Sequence, residues 1–215
     1  MTPDGSSGPL RTMPIDRFLD LLASPSPTPG GGGVAALAGA LSAGLISMVS
    51  HLTIGKPKYA AVEEEAKKLL AQAEELRQSL HRLIDADAEA YNGVMAAYRL
   101  PKNTEEEKRV RSARIQEASI EASRVPLQTA KECMRVLDLS LPAARITNSQ
   151  ALGDVAMAAY LAQGAIKGLV DNIDINLRPL KGQAAAEELM AEARALTQGL
   201  QEKVDAIIRE AMARV

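Results

Sequence analysis

Between Val34 and Thr53 the chain carries no Asp, Glu, Lys or Arg, while Ala, Gly and Ser recur throughout. A run of this length is long enough to span a bilayer. Its many small residues make it only weakly hydrophobic, however, and every neighbouring segment is amphipathic with ordinary charge density. It therefore reads as a helix buried on all sides, inside the domain or at a dimer interface, and not as a membrane span. Gly39, Ala43 and Ser47 fall at every fourth position. They make a stripe with almost no side chain, against which a second backbone can approach closely. The rest of the chain has to be arranged around this helix.

The surrounding sequence suits helical partners. One Phe, four Tyr and no Trp leave a core of Ala, Leu, Val, Ile and Met, which favours closely packed helices over a β-sandwich. Residues 1–12, rich in Gly, Ser and Pro, read as a disordered lead-in, and residues 13–215 as a single domain. A short amphipathic helix is expected from Pro14 to Ala23, with Ile15, Phe18, Leu19 and Leu22 at helical spacing. Lys58 to Tyr98 predicts one long helix whose stripe runs Leu69, Ala73, Leu76, Leu80, Leu83, Tyr91, Val94 and Tyr98. Leu100-Pro101 ends it. Thr104-Glu-Glu-Glu107 predicts a capping box for a helix from Glu105 to Leu139, with Val110, Ala118, Ala122, Val125, Met134 and Leu137 facing inward and a kink at Pro126. Another helix begins near Pro142 and breaks around Thr147 to Gln150. A further one runs from Leu152 to Val170, and Asp171 to Leu177 reads as a short extended piece or a polar helix end. The last helix follows Gly182, with Leu189, Ala193, Leu196, Leu200, Val204, Ile207 and Ala211 as its stripe. The fold class is all-α: a multi-helix bundle with long antiparallel helices.

Charge and cysteine content exclude several functions. A formal net charge of -2 offers no electrostatic footprint for nucleic acid. The single Cys133 cannot form an intrachain disulfide and reads as a core thiol in a reducing compartment, and no secretory signal pattern opens the chain. The expected location is cytoplasmic. His51 and His81 stand apart, and no Glu-x-x-His occurs, so no metal site is expected.

Two features suggest chemistry. Gly30-Gly-Gly-Gly-Val-Ala35 spells a dinucleotide fingerprint, but Pro25, Pro27 and Pro29 forbid the strand that motif requires. What remains is a glycine run at a helix N-terminus, which is either a seat for an anion or polar ligand or a turn into a tightly packed helix. The second feature is Asp87, the one gap in the long apolar stripe. A buried carboxylate must be paired or protonated. Asp87 is thus either an acid/base or ligand-binding group, a structural partner of an Arg, or a surface Asp at a local irregularity.

Several fragments together resemble the cyclodeaminase/cyclohydrolase family. They are Thr28-Pro-Gly-Gly-Gly32 with Val34-Ala-Ala-Leu-Ala-Gly39, then Leu52-Thr-Ile-Gly-Lys-Pro-Lys-Tyr59, Ile84-Asp-Ala-Asp-Ala-Glu-Ala-Tyr91, Leu100-Pro-Lys102, Val125-Pro-Leu127 and Asn172-Ile-Asp-Ile-Asn-Leu177. The sequence departs from the family pattern at Gly33, Thr147, Gln150 and Gly153, and keeps Asn148, Ala151 and Asp154. The resemblance implies an all-α homodimer acting on a tetrahydrofolate that carries a one-carbon unit between N5 and N10, with no cofactor beyond that substrate. The implied activity is methenyltetrahydrofolate cyclohydrolase or formimidoyltetrahydrofolate cyclodeaminase, and it needs proton transfer at a tetrahedral carbon. Asp87 or Asp154 is the expected catalytic carboxylate, with the other binding the pterin, and Lys56 supplies an electrostatic contact. Gly30, Gly31, Gly32, Tyr59, Asn148, Asn172 and Asn176 are the expected substrate contacts. The alternatives are a helical interaction module without catalysis and an enzyme acting on another cyclic amidine.

Overall fold

The capping box at Thr104 forms in full: its hydroxyl accepts from the Glu107 N–H at 3.1 Å, and the Glu107 carboxylate accepts from the Thr104 N–H at 3.1 Å. In the computed structural model, which describes residues 8–180 and 182–214, the box opens the longest helix of an all-α bundle. The helices are α1 (Ile15–Leu22), α2 (Gly31–His51), α3 (Glu63–Tyr98), α4 (Glu105–Ile146), α5 (Leu152–Leu177), α6 (Ala184–Ala195) and α7 (Leu200–Met212). No strand occurs among the described residues.

The small-residue helix α2 lies at the centre. It packs against α3 and α5, and α4 packs against the same two. Gly33 meets Asp87 and Gly39 meets Leu80, so α2 and α3 run antiparallel. Asn148 meets Thr53, and the Ser42 hydroxyl donates to the Ala158 carbonyl at 2.7 Å, so α2 and α5 are antiparallel as well. By length and composition α2 could cross a membrane, but 61% of its apolar window is buried inside the protein. A side chain at Gly39 would place its Cβ 2.6 Å from the Cys133 sulfur and 3.0 Å from Leu80 Cδ2. The four-residue stripe thus does what its spacing predicts: it lets α3 and α4 close on α2. Cys133 is fully buried in this contact, and burial pushes its thiol up to about 12.

Several boundaries differ from expectation. α4 runs unbroken through Pro126 and Pro142. Each proline removes one backbone hydrogen bond at a cost of about 3 kcal/mol, but the flanking Ser123, Leu127, Thr129, Ala130, Ala143 and Ala144 are buried, and this packing outweighs the loss. The polar Asp171–Leu177 stretch is the helical end of α5. The Lys58–Val62 part of the predicted long helix is instead in a 3-10 turn, Pro57–Val62. The last predicted helix divides at Gly199, whose φ of 66° suits glycine; Leu189, Ala193, Leu200, Val204, Ile207 and Ala211 stay buried on both sides of the break. In α1, Phe18 and Leu21 point inward, while Ile15, Leu19 and Leu22 are exposed. The lead-in is ordered at least from Leu10 to Thr12, a 3-10 turn held to α3. There the Arg11 N–H and guanidinium donate to Asp85, and His81 Nε2 contacts the Arg11 carbonyl at 2.7 Å. Residues 1–7 of that segment lie outside the described residues.

α3 and α4 outrun α2, which begins level with Asp87. Beyond that level they form a paired arm: from Asp85 to Ala122 only Ala97 is buried. Tyr91, Tyr98 and Val110, expected to face inward, are exposed there because no third helix covers them. Arg111 fixes the tip by donating to the Tyr98 carbonyl at 3.1 and 3.0 Å.

Gly39→Val inserts side-chain atoms where Cys133 and Leu80 already sit, so it should destabilise the fold by about 1–3 kcal/mol or more. Urea unfolding checks this.

Candidate active site

The first turn of a helix leaves its N–H groups without intrahelical partners. At the start of α2 one of them is taken by a side chain from α3: the Gly33 N–H donates to Asp87 Oδ2 at 2.9 Å. The approach requires glycine. A Cβ at Gly32 would lie 1.9 Å from Asp87 Oδ1, so any side chain there would expel the carboxylate. Gly31, by contrast, faces open space. Asp87 is half-buried, and its desolvation raises the carboxyl above the ordinary Asp range, offset only in part by the Gly33 hydrogen bond. The sequence left open an Arg partner for this carboxylate; its partner is instead the Gly33 N–H. A carboxyl raised in this way is suited to proton transfer, the work of a general acid or base.

A second cluster forms at the other end of α2. The Asn148 N–H donates to Thr53 Oγ1 at 2.9 Å, and the Asn148 amide reaches the Leu52 carbonyl at 3.4 Å. Asn148 Oδ1 accepts from the Gln150 N–H at 3.1 Å and from the Tyr59 hydroxyl at 3.3 Å. The Ser149 N–H in turn donates to the Tyr59 oxygen at 3.1 Å. That bond, together with the Lys58 ammonium 5.3 Å from the ring centroid, lowers the Tyr59 phenol below its usual value. Asp154 lies half-buried in the first turn of α5, six residues beyond Asn148, where its charge complements the helix dipole. Lys56 is exposed, three residues before Tyr59.

The predicted residues therefore fall into groups. Asp87 joins Gly30, Gly31, Gly32 and Gly33. Tyr59 joins Asn148, with Lys56 and Asp154 close in sequence. Asn172 and Asn176 bond to each other at 3.0 Å near the end of α5, which the antiparallel packing puts at the end of the bundle where α2 starts. Asp87 and Asp154 do not share one cavity within a chain: α2 separates the two clusters by about 30 Å. Thr53, which anchors Asn148, went unnoticed in the sequence although it lies inside the Leu52–Tyr59 fragment. Its apolar surroundings gave no sign of a hydrogen bond to a residue so distant in sequence. Among the described residues no three of His, Cys, Asp and Glu gather as metal ligands would.

The model of the formiminotransferase-cyclodeaminase family matches residues 14–195. The chain belongs to this family. It is 45% identical over 197 residues to a methenyltetrahydrofolate cyclohydrolase of Methylorubrum extorquens, covering 88% of this chain and 95% of that one. Against the formimidoyltransferase-cyclodeaminase of Rattus norvegicus it is 31% identical over 191 residues, which make up 87% of this chain but 35% of the longer relative. The solved structure of a formiminotetrahydrofolate cyclodeaminase from Thermotoga maritima superposes with a TM-score of 0.83 at 26% identity, covering 95% and 98% of the two chains. The family and fold implied by the sequence fragments agree with these matches.

The raised Asp87 carboxyl carries a stability consequence with a definite sign. The folded state binds this proton more tightly than the unfolded chain, so the favourable contribution is present below the unfolded value and is lost as pH rises through the folded one. Asp87→Asn, which keeps an acceptor for the Gly33 N–H, should be more stable than the native protein at neutral pH. The advantage should vanish below the ordinary carboxylate range, as urea unfolding across pH will measure.

Proposed function

We propose that this enzyme hydrolyses 5,10-methenyltetrahydrofolate to 10-formyltetrahydrofolate. The observation that carries the reading is the desolvated Asp87 carboxylate seated on the Gly33 N–H, in a chain that covers 95% of a cyclohydrolase relative. Water adds to the cationic methenyl carbon, and Asp87 accepts a proton from it. The carbon becomes tetrahedral between N5 and N10. Returning a proton to N5 lets the C–N5 bond break, leaving the formyl group on N10 and releasing one proton overall. The negative form of Asp87 also offsets the methenyl cation. The N–H groups of Gly30, Gly31 and Gly32 line the pocket, Asn172 and Asn176 offer amides to the pterin, and Lys56, Tyr59, Asn148 and Asp154 complete the contacts. This chemistry calls for no cofactor beyond the folate, and a cytoplasmic setting suits it.

We further propose that the working unit is a homodimer. A groove of about 470 Å³ lies open between α2, α3 and α5, lined by Leu37, Leu41, Leu45, Leu161, Arg77 and His81. Leu41, Met48 and Leu52 of α2 and Met157 and Tyr160 of α5 are exposed. A second copy fits this face for a geometric reason. A two-fold axis crossing α2 near its middle lays the two α2 helices antiparallel. The Asp87 end of one copy then meets the Asn148 end of the other, and the two clusters make one site.

A cyclodeaminase reading, in which N10 attacks a 5-formimino group and ammonia leaves, is favoured by the likeness to the Thermotoga maritima structure. Ultraviolet absorbance separates the two. Cyclohydrolase activity removes the methenyl band faster than buffer alone, and Asp87→Asn should lower that rate by about a hundredfold or more. If the methenyl compound persists and the band instead grows from 5-formiminotetrahydrofolate, the cyclodeaminase reading replaces this one.

A further inference from the structure

The end of α4 is held by a residue distant in sequence. Beyond Ile146 the backbone is extended at Thr147 (φ -79°, ψ 172°) and turns at Asn148 (φ -54°, ψ 122°) into the 3-10 turn Ser149–Ala151. A helix end leaves carbonyls without partners. Here the Ala143 carbonyl takes the Thr147 N–H and hydroxyl, at 3.1 and 2.7 Å. The Ala144 and Thr147 carbonyls both accept from Arg214, which follows α7. One arm of its guanidinium reaches Ala144 and the other reaches the Thr147 oxygen at 2.9 Å. A planar fork spanning two carbonyls fixes the direction in which the chain leaves the helix, and its charge suits the negative end of α4.

The Thr147 carbonyl and the Asn148 N–H belong to the same rigid peptide plane. Arg214 holds the oxygen edge of that plane, and Thr53 Oγ1 holds the nitrogen edge at 2.9 Å. Clamped on both edges, the plane sets the position of Asn148, whose side-chain oxygen receives the Tyr59 hydroxyl, and of the Ser149 N–H that Tyr59 accepts. We propose that Arg214 is a positioning residue for the Asn148–Tyr59 cluster, acting through the Thr147–Asn148 peptide, and that α7 is thereby built into the substrate site. The inference rests on the reading that Asn148 and Tyr59 contact the folate.

Three variants test it, with Arg145→Ala as the control, because Arg145 also joins α4 to α7, through an exposed pair with Glu210 at 3.4 Å. Arg214→Ala should raise KM for methenyltetrahydrofolate by about tenfold with a smaller change in kcat, and should speed amide hydrogen exchange at Asn148 and Ser149 but not at Gly33. Arg214→Lys keeps the charge but cannot fork, so it should recover thermal stability without recovering KM. Arg145→Ala should leave KM unchanged. Amides at Asn148 and Ser149 that stay protected in Arg214→Ala overturn the proposal, as does a KM that returns with stability in Arg214→Lys. If the native protein turns over no folate while Arg214→Ala still releases these amides, the folate reading falls and the clamp on Asn148 stands.

Discussion

The architecture depends on how close other helices come to α2. Where a helix presents glycine and alanine, its neighbours pack on its backbone instead of on side chains, and the positions of their own side chains become tightly set. Gly39 admits Cys133 and Leu80, while Gly32 and Gly33 admit Asp87. The same absence of side chains that builds the core therefore delivers a carboxylate to the start of the helix. There it receives an N–H that the helix cannot satisfy itself. Burial raises the carboxyl above the ordinary Asp range, and the one backbone hydrogen bond offsets that only in part.

The second consequence is separation. A central helix of 21 residues holds the Asp87 and Asn148 clusters at its two ends, and in the proposed dimer each is half of a site. Each is well ordered by its own contacts: Asp87 by the glycine turn, and Asn148 by Thr53, Tyr59 and the clamp from Arg214. The exposed apolar surface along α2 and α5 lies between them. The proposed association of two copies across that surface would satisfy two needs at once, burying the apolar face and joining the two clusters.

Much of this was legible in the sequence, and what was not has physical causes. The uncharged small-residue run announced the central helix, and a single polar gap in the α3 stripe picked out Asp87. The Thr104 capping box lay in plain letters. The two prolines in α4 misled because the cost of a proline is local and known, while the burial that overrides it comes from helices distant in sequence. Tyr91 and Val94 continued the stripe past Asp87 because periodicity reports a face without saying whether anything covers it. α3 and α4 simply continue past the end of α2. The separation of the Asp87 and Asn148 clusters was also invisible: spacing along each helix carries no measure of how far apart two helices hold their ends. Arg214 left no trace in any pattern, since a side chain that caps another helix obeys no period.

The claim that one site draws its residues from both ends of α2 through two copies of the chain is open to a direct measurement. Asp87→Asn and Asn148→Ala, each strongly impaired alone, are mixed under conditions that let subunits exchange, and kcat/KM for methenyltetrahydrofolate is followed. In a shared-site dimer, mixed pairs carry one doubly altered site and one intact site, so statistical exchange should restore about a quarter of native activity. If subunits exchange and activity stays at the level of the separate variants, each chain holds its own complete site and this account of the enzyme is wrong.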